Sequence, residues 1–327
     1  MGVIQPGRKV VVALGGNALV RTGEEPTIAT QSQNVEKAMR SLVPLVEARN
    51  KLVITHGNGF QVGNILIRVE EALGKAYGIP LEICVAESQG EIGYLIEQAM
   101  QNVLAAAGHR LPVLSLLTQV IVDARDRAFA NPTKPVGPTY TARQARALEA
   151  KGLPVIYEKG RGWRRVVASP RPVEIDDVEV IDWLLRKPAL VIAAGGGGVP
   201  VVRRRNGQLE GVPAVIDKDF ASATLALGIR APHMVILTGV RAVYRDFAEP
   251  GQKLLSTLSI EDAAAMVAAG QFPPGSMGPK IEAAIEFIRA GGRSVTITDT
   301  EHLNAALLGR DGTTLTRSGR LPQRRSR

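Results

Sequence analysis

A single cysteine, Cys84, among 327 residues leaves no partner for an internal disulfide and fits a reducing compartment. Aromatic residues are also scarce: at 4% of the chain against 45% hydrophobic residues, they leave the core to be built from aliphatic side chains. No apolar run of about 18 residues and no signal-peptide pattern is present, so the expectation is a soluble cytoplasmic protein with no membrane partner. The GxxxxGKS/T pattern of P-loop nucleotide enzymes is missing too. Gly57-Asn58-Gly59 with Gly63 approaches the dinucleotide fingerprint, but three residues, not two, separate its last glycines, and no acidic residue stands ready for a ribose. The histidines 56, 109, 233 and 302 show no metal-ligand spacing, and Ser169 has no His or Asp at a recognisable distance. No acid–base dyad stands out, and Cys84, in an apolar segment, reads as core.

The net charge of +9 suggests nucleic acid, yet Arg317, Arg320, Arg324, Arg325 and Arg327 crowd the last eleven residues. Without those five the other 316 residues carry +4, an ordinary balance that anionic small molecules explain as well. Nucleic acid is therefore not expected as a partner.

What the chain does have is glycine at strand ends. Val10 to Ala13 reads as a buried strand running into Gly15-Gly16-Asn17. Leu52 to Thr55 runs into His56-Gly57-Asn58-Gly59, and Leu190 to Ala193 into Gly195–Gly198. Residues without a Cβ let backbone N–H groups converge on an anion. Three such loops suggest several phosphate-sized anions side by side.

Strand and helix alternate along most of the chain, which predicts a mostly parallel sheet covered on both faces. Apolar spacing predicts helices over Gln31–Glu47 (with Pro44 kinking or shortening it), from Val62 to Leu73, and from Ile92 to about Gly108. Leu81–Val85 and Val113–Val122 read as strands. The texture then turns proline-rich and basic over about 124–172, with a short strand Val155–Glu158 and Trp163, and this stretch reads as an inserted, projecting lid subdomain. A hairpin at Asn206-Gly207 follows, then a strand-to-helix passage with Asp217 and Asp219 as candidate caps. Strand Met234–Leu237, helices after Ser259 and from Pro279, and a final strand Val295–Thr298 complete the α/β domain, placed at 1–313, with a basic, disordered tail over 314–327.

Lysine is outnumbered 11 to 29 by arginine, which makes three of its positions informative. Lys134, Lys218 and Lys280 all sit in turns bounded by Gly or Pro or at a strand-to-helix turn. Each alone reads equally as a solvated surface residue. Together, in Gly- or Pro-bounded turns of an α/β sheet, with Lys218 and Lys280 at helix starts that already attract anions, they point to phosphate contacts. Phosphoryl transfer to an acceptor that is already an anion needs no general base, only positive charge and backbone donors around the moving group.

Eight stretches then resemble the carbamate kinases of the amino acid kinase family. They are ALGGNAL (13–19), THGNGFQVG (55–63), ESQGEIGY (87–94), NPTKPVGP (131–138), RGWRRVV with the SP after Ala168 (161–170), GGGGVPV (195–201), AVIDKDFAS (214–222) and GSMGPKIEAA (275–284). The resemblance implies an open three-layer α/β/α sandwich with an eight-stranded central sheet, usually in a homodimer. It implies Mg²⁺-dependent, reversible transfer between ATP and carbamate, giving ADP and carbamoyl phosphate. Gly15, Gly16, Asn17, Gly57, Asn58 and Gly59 would cradle carbamate and the phosphoryl group. Lys218 and Lys280 would neutralise phosphate charge, with Asp217 positioning both. Lys134 would reach over the site from the inserted subdomain. Gly196, Gly197, Gly275, Ser276 and Met277 would border the nucleotide, whose phosphates, more than any side chain, would hold Mg²⁺.

Ala13 stands where acetylglutamate kinases carry a lysine, for which Lys134 is the natural substitute. Phe60, Ala168, Gly239 and Arg241 depart from the family pattern, and the arginine tail lies outside it. Rival readings are a relative phosphorylating glutamate, acetylglutamate or a nucleoside monophosphate, and a non-catalytic sensor of nucleotide or carbamoyl phosphate.

Overall fold

Strand β1 (Lys9–Leu14) is apolar on both faces, and each face has its own helical cover. Successive side chains of a strand point to opposite sides, so Val10, Val12 and Leu14 enter one core while Val11 and Ala13 enter another. The computed structural model describes residues 2–21, 23–158, 162–273 and 275–321.

After β1 the chain runs through α1 (Ile28–Glu47), β2 (Lys51–His56), α2 (Gly59–Ala72), α3 (Leu81–Ala106), β3 (Val113–Ser115) and β4 (Gln119–Val122). Next come β5 (Lys134–Tyr140), α4 (Ala142–Ala150), β6 (Val155–Glu158), β7 (Gly162–Val167), β8 (Pro172–Ile175), α5 (Val178–Leu184) and β9 (Leu190–Ile192). Then follow β10 (Val199–Arg203), β11 (Leu209–Gly211), α6 (Lys218–Gly228), β12 (His233–Leu237), β13 (Val243–Arg245), β14 (Lys253–Leu255) and β15 (Thr257–Ser259). The described chain closes with α7 (Ile260–Ala268), α8 (Met277–Arg289), β16 (Ser294–Thr298), α9 (Leu303–Leu307) and β17 (Thr313–Thr316).

The central sheet has eight strands in the order β15-β17-β16-β12-β1-β2-β9-β3, parallel throughout except between β16 and β17. Helices α1, α3 and α9 cover one face, and α5 to α8 the other. This is the three-layer α/β sandwich expected from the alternation.

The inserted stretch folds a sheet of its own, β5-β7-β6, beside α4. It is seated on α2, where a Cβ on Gly63 would lie 1.9 Å from the Gly137 Cα. Arg165 of β7 pairs with Glu70 near the end of α2. Strands β4 and β8, which flank the insertion, pair with each other in a second sheet, β11-β10-β4-β8.

Several expectations need correction. Leu81–Val85 is not a strand but the first turns of α3, whose buried Cys84, Val85, Ser88, Gln89 and Ile92 recur at helical spacing. A short apolar run does not by itself distinguish the two. Val113–Val122 is split between two sheets, β3 in the central one and β4 in the second. Pro44 does not shorten α1, which continues to Glu47. Residues 214–216 form only a single bridge to Ala168 before α6.

The domain also runs past the boundary at 313. Thr313–Thr316 is fully incorporated in the sheet against β16 and β15, and Arg317 donates to the Ile288 carbonyl. The disordered tail is thus contradicted for 314–321, because β17 pairs with a strand on each side and all four of its residues are buried. The rest of that tail, 322–327, and Arg161 of the RGWRRVV stretch lie outside the described residues.

Candidate active site

The parallel register sets Leu14 of β1 beside His56 of β2, so the two glycine loops leave the sheet side by side. Gly15 N–H donates to the Leu237 carbonyl (2.8 Å) and Gly57 N–H to the Leu14 carbonyl (3.1 Å), which fixes both exits. A Cβ on Gly57 would stand 3.4 Å from Lys218 Cδ and 3.9 Å from Gly16 N. Both loops and the start of α6 therefore meet at one point. Gly16 and Asn17 are exposed there, whereas Asn58 is buried, donating from Nδ2 to Ser88 Oγ at 2.8 Å.

Helix α2 begins at Asn58 and α8 at Ser276, and neither start has a side-chain cap. Helices α1, α4, α6 and α7 are closed by Thr27, Thr141, Asp217 and Ser259, whereas α3, α5 and α9 are uncapped as well. The uncapped starts keep N–H groups available to an anion.

Three lysines gather on two aspartates. Lys134, the first residue of β5, donates to Asp217 Oδ2 at 2.8 Å. Lys218 pairs with its neighbour Asp219. Lys280, one turn into α8, donates to Asp219 Oδ2 and to the Ser276 carbonyl, both at 3.2 Å. Three ammonium groups against two carboxylates leave the cluster one positive charge in excess. Asp219 is only 2% exposed and Lys218 8%, so water screens that charge poorly.

Burial pushes the Lys218 ammonium below its ordinary value and Lys280 adds to the push, while Asp219 opposes both. Burial would raise the Asp217 carboxyl, but Lys134 and then Lys218 override it and hold the group well below the usual carboxylate range. His56, behind Gly57, is lowered to about 4 by burial, with Lys218 adding to the effect. It is neutral at neutral pH and adds no charge to the cleft.

The structure thus brings Lys134, Asp217, Lys218 and Lys280 together with the Gly15–Asn17 and Gly57–Gly59 loops. One assignment needs correction. Asp217 does not hold Lys218 and Lys280 by hydrogen bonds. It takes Lys134, and its other oxygen accepts from the Asp219 N–H as the cap of α6. Asp219 holds the other two lysines. The Asp-Lys-Asp triplet was the available signal, but both aspartates read equally as caps.

Gly196 and Gly197 are buried behind the second loop. With φ near +65°, Gly196 faces Asn58, whose Nδ2 would be 2.3 Å from a Cβ there; a Cβ on Gly197 would be 2.3 Å from the Ile216 carbonyl. Their place is between the Asn58 loop and the approach to Asp217. Gly275 and Ser276 are exposed and Met277 half-buried, at the mouth of α8. The sequence also passed over a contact at Gly239, where a Cβ would lie 1.9 Å from Asn17 Nδ2. Arg241 turns away to Asp311 at 2.7 Å. Phe60 is half-buried in the first turn of α2.

Convergent charge, rather than cavity size, marks this site. A surface cavity of about 650 Å³ lies at the other end of β1, by Lys9, Trp183 and Arg230.

The sequence profile of the Amino acid kinase family matches residues 8–299. The chain is 42% identical over 315 residues to a protein of Thermococcus kodakarensis named carbamate kinase, covering 95% of this chain and 99% of that one. It is 42% identical over 301 residues to carbamate kinase 1 of Enterococcus faecium, covering 91% and 96%. Among solved structures, carbamate kinase from Giardia lamblia bound to AMP-PNP superposes with a TM-score of 0.87 at 41% identity, covering 95% of this chain and 98% of that one.

Proposed function

The chain belongs to the amino acid kinase family, in its carbamate kinase branch, and from that premise we propose how its cleft moves a phosphoryl group between ATP and carbamate. In the forward direction a carbamate oxygen bonds to the γ-phosphorus while the bond to the β–γ bridging oxygen breaks. ADP leaves with that electron pair, and carbamoyl phosphate is formed. Carbamate arrives as an anion, so no proton has to be removed at the attacking atom.

Gly15, Gly16, Asn17, Gly57, Asn58 and Gly59 cradle carbamate and the transferring group with backbone donors, helped by the open start of α2. Lys218 and Lys280 face the charge that builds on the phosphoryl oxygens, and Asp219 keeps them at a fixed separation. Lys134 closes the cluster from the inserted subdomain, which acts as a lid over the acceptor. Asp217 orients Lys134. Gly275, Ser276 and Met277 border the nucleotide at the start of α8, with Gly196 and Gly197 backing the acceptor loop.

The reading is carried by one observation: three lysines on two aspartates, beside two uncapped glycine loops. Among the described residues no group of three or more His, Cys, Asp or Glu could hold a metal ion, and Asp219 is already engaged by two lysines. That donor set fits Mg²⁺ entering as the nucleotide complex, held mainly by its phosphates and neutralising them.

The homodimer and the cytoplasmic location belong to the same proposal. Tyr94, Leu114 and Leu117 are 61%, 36% and 61% exposed on and beside the edge strand β3, which supports pairing. No helix among the described residues is long and apolar enough to cross a membrane. Formation of ATP from ADP and carbamoyl phosphate, in a coupled assay, tests the function directly. A panel of acceptors including glutamate and acetylglutamate tests its selectivity. Binding of ADP with no turnover on any acceptor would overturn the reading.

A further inference from the structure

Arg171 occupies the neck of the inserted subdomain and touches both helices that carry the lysine cluster. Pro170 and Pro172 flank it and narrow its backbone freedom. Its N–H donates to Asp126 Oδ2 at 2.9 Å, which ties the strand leaving the insertion to the turn entering it. Its guanidinium carbon lies 3.4 Å from the ring centroid of Phe220, the residue after Asp219 on α6. The same group pairs with Glu282 (3.4 Å) and Glu286 (3.3 Å) on α8, the helix of Lys280.

Exposed ion pairs contribute little to stability individually. A guanidinium stacked on a buried ring is different in kind, because its plane and its fork of donors fix a direction. Here that direction runs from the first turn of α6, at Phe220, to the second and third turns of α8, just beyond Lys280. We propose that Arg171 is a positioning residue for phosphoryl transfer, holding the Asp219 and Lys280 turns in register with the subdomain that supplies Lys134. It contacts no reacting atom and acts through Phe220, Glu282 and Glu286. The proposal rests on the function assigned above.

A double-mutant cycle tests it, with ATP formation from ADP and carbamoyl phosphate as the readout. Arg171→Ala is expected to lower kcat about tenfold while the KM for ADP stays within about twofold. In a Lys280→Ala background the same change is expected to cost distinctly less than in the parent, about threefold or less, since one of the groups it positions is gone. A purely structural role would lower both backgrounds equally. Arg171→Met keeps an apolar stem over Phe220 and removes the charge; it enters the same cycle, with the same expectations, where the alanine variant does not fold. Turnover near that of the parent in both variants, or an equal loss in both backgrounds, overturns the proposal. A parent that makes no ATP overturns the function and this inference together, whereas an active parent with additive variants overturns the inference alone.

Discussion

Lys280 Nζ stands 3.2 Å from Asp219 Oδ2, joining two helix starts that are 61 residues apart in the chain. Lys218 reaches the same carboxylate. One buried anion therefore sets the spacing of two cations, and that spacing is suited to a phosphoryl group carrying charge on several oxygens.

Removing either cation should show this most directly. Lys218→Ala and Lys280→Ala are each expected to lower kcat on the order of 100-fold, or about 3 kcal/mol of transition-state stabilisation. Initial rates of ATP formation measure it, and near-normal turnover in either variant removes that lysine from the mechanism.

Asp219→Asn should damage both rate and stability. It leaves Lys218 and Lys280 close together in a buried site with no carboxylate between them, at a cost of about 3 kcal/mol. A urea titration with the parent alongside reads the loss. An unshifted midpoint would mean that the lysines find other partners.

Lys134→Ala should cost more in rate than in stability. The side chain is 20% exposed and its partner Asp217 24%, and Lys134 is what chiefly holds the Asp217 carboxyl low, so the melting temperature should fall by a few degrees while kcat falls about tenfold or more. A normal rate would show that the inserted subdomain does not act over the acceptor.

Gly239→Ala tests the departure beside Asn17. The added methyl would lie 1.9 Å from the Asn17 amide nitrogen, so that exposed side chain must swing aside. The KM for carbamoyl phosphate is expected to rise more than the KM for ADP, with an unchanged melting temperature. Equal effects on both would place Asn17 away from the acceptor.

Acid should weaken the fold through two histidines. Burial lowers both His56 and His233 to about 4, with Lys218 adding at the first and Arg293 and Arg8 at the second. In the unfolded chain each would titrate at its ordinary value near 6.5. Between those values the unfolded state binds protons that the folded state refuses, so stability falls as pH drops from about 6.5 toward 4, by up to roughly 3 kcal/mol per group. Denaturant midpoints at pH 7 and pH 5 measure the slope. His233→Gln should flatten it, and a slope unchanged by that substitution would assign the effect elsewhere.

Local pattern was sufficient where a residue's neighbours in sequence decide its state. Strand β1 with its glycine exit, the Ser259 cap of α7 and the Asn206-Gly207 hairpin are all short-range matters of side-chain shape and backbone freedom, and they were legible from residue order alone. Lys134, Lys218 and Lys280 stood out together in residue order, but their meeting was not legible there, since Lys134 arrives on β5 of the inserted sheet and not at a helix start of the central one. Tertiary packing decided the rest. Leu81–Val85 became helix because its buried positions continue into Ile92 on one α3 face, which a five-residue apolar run does not reveal. Thr313–Thr316 joined the sheet because β16 offered an unpaired edge. The division of labour between Asp217 and Asp219 has the same origin. Both aspartates stand next to Lys218, but only the approach of β5 and α8, brought from 83 and 61 residues away, determines which lysine each one holds.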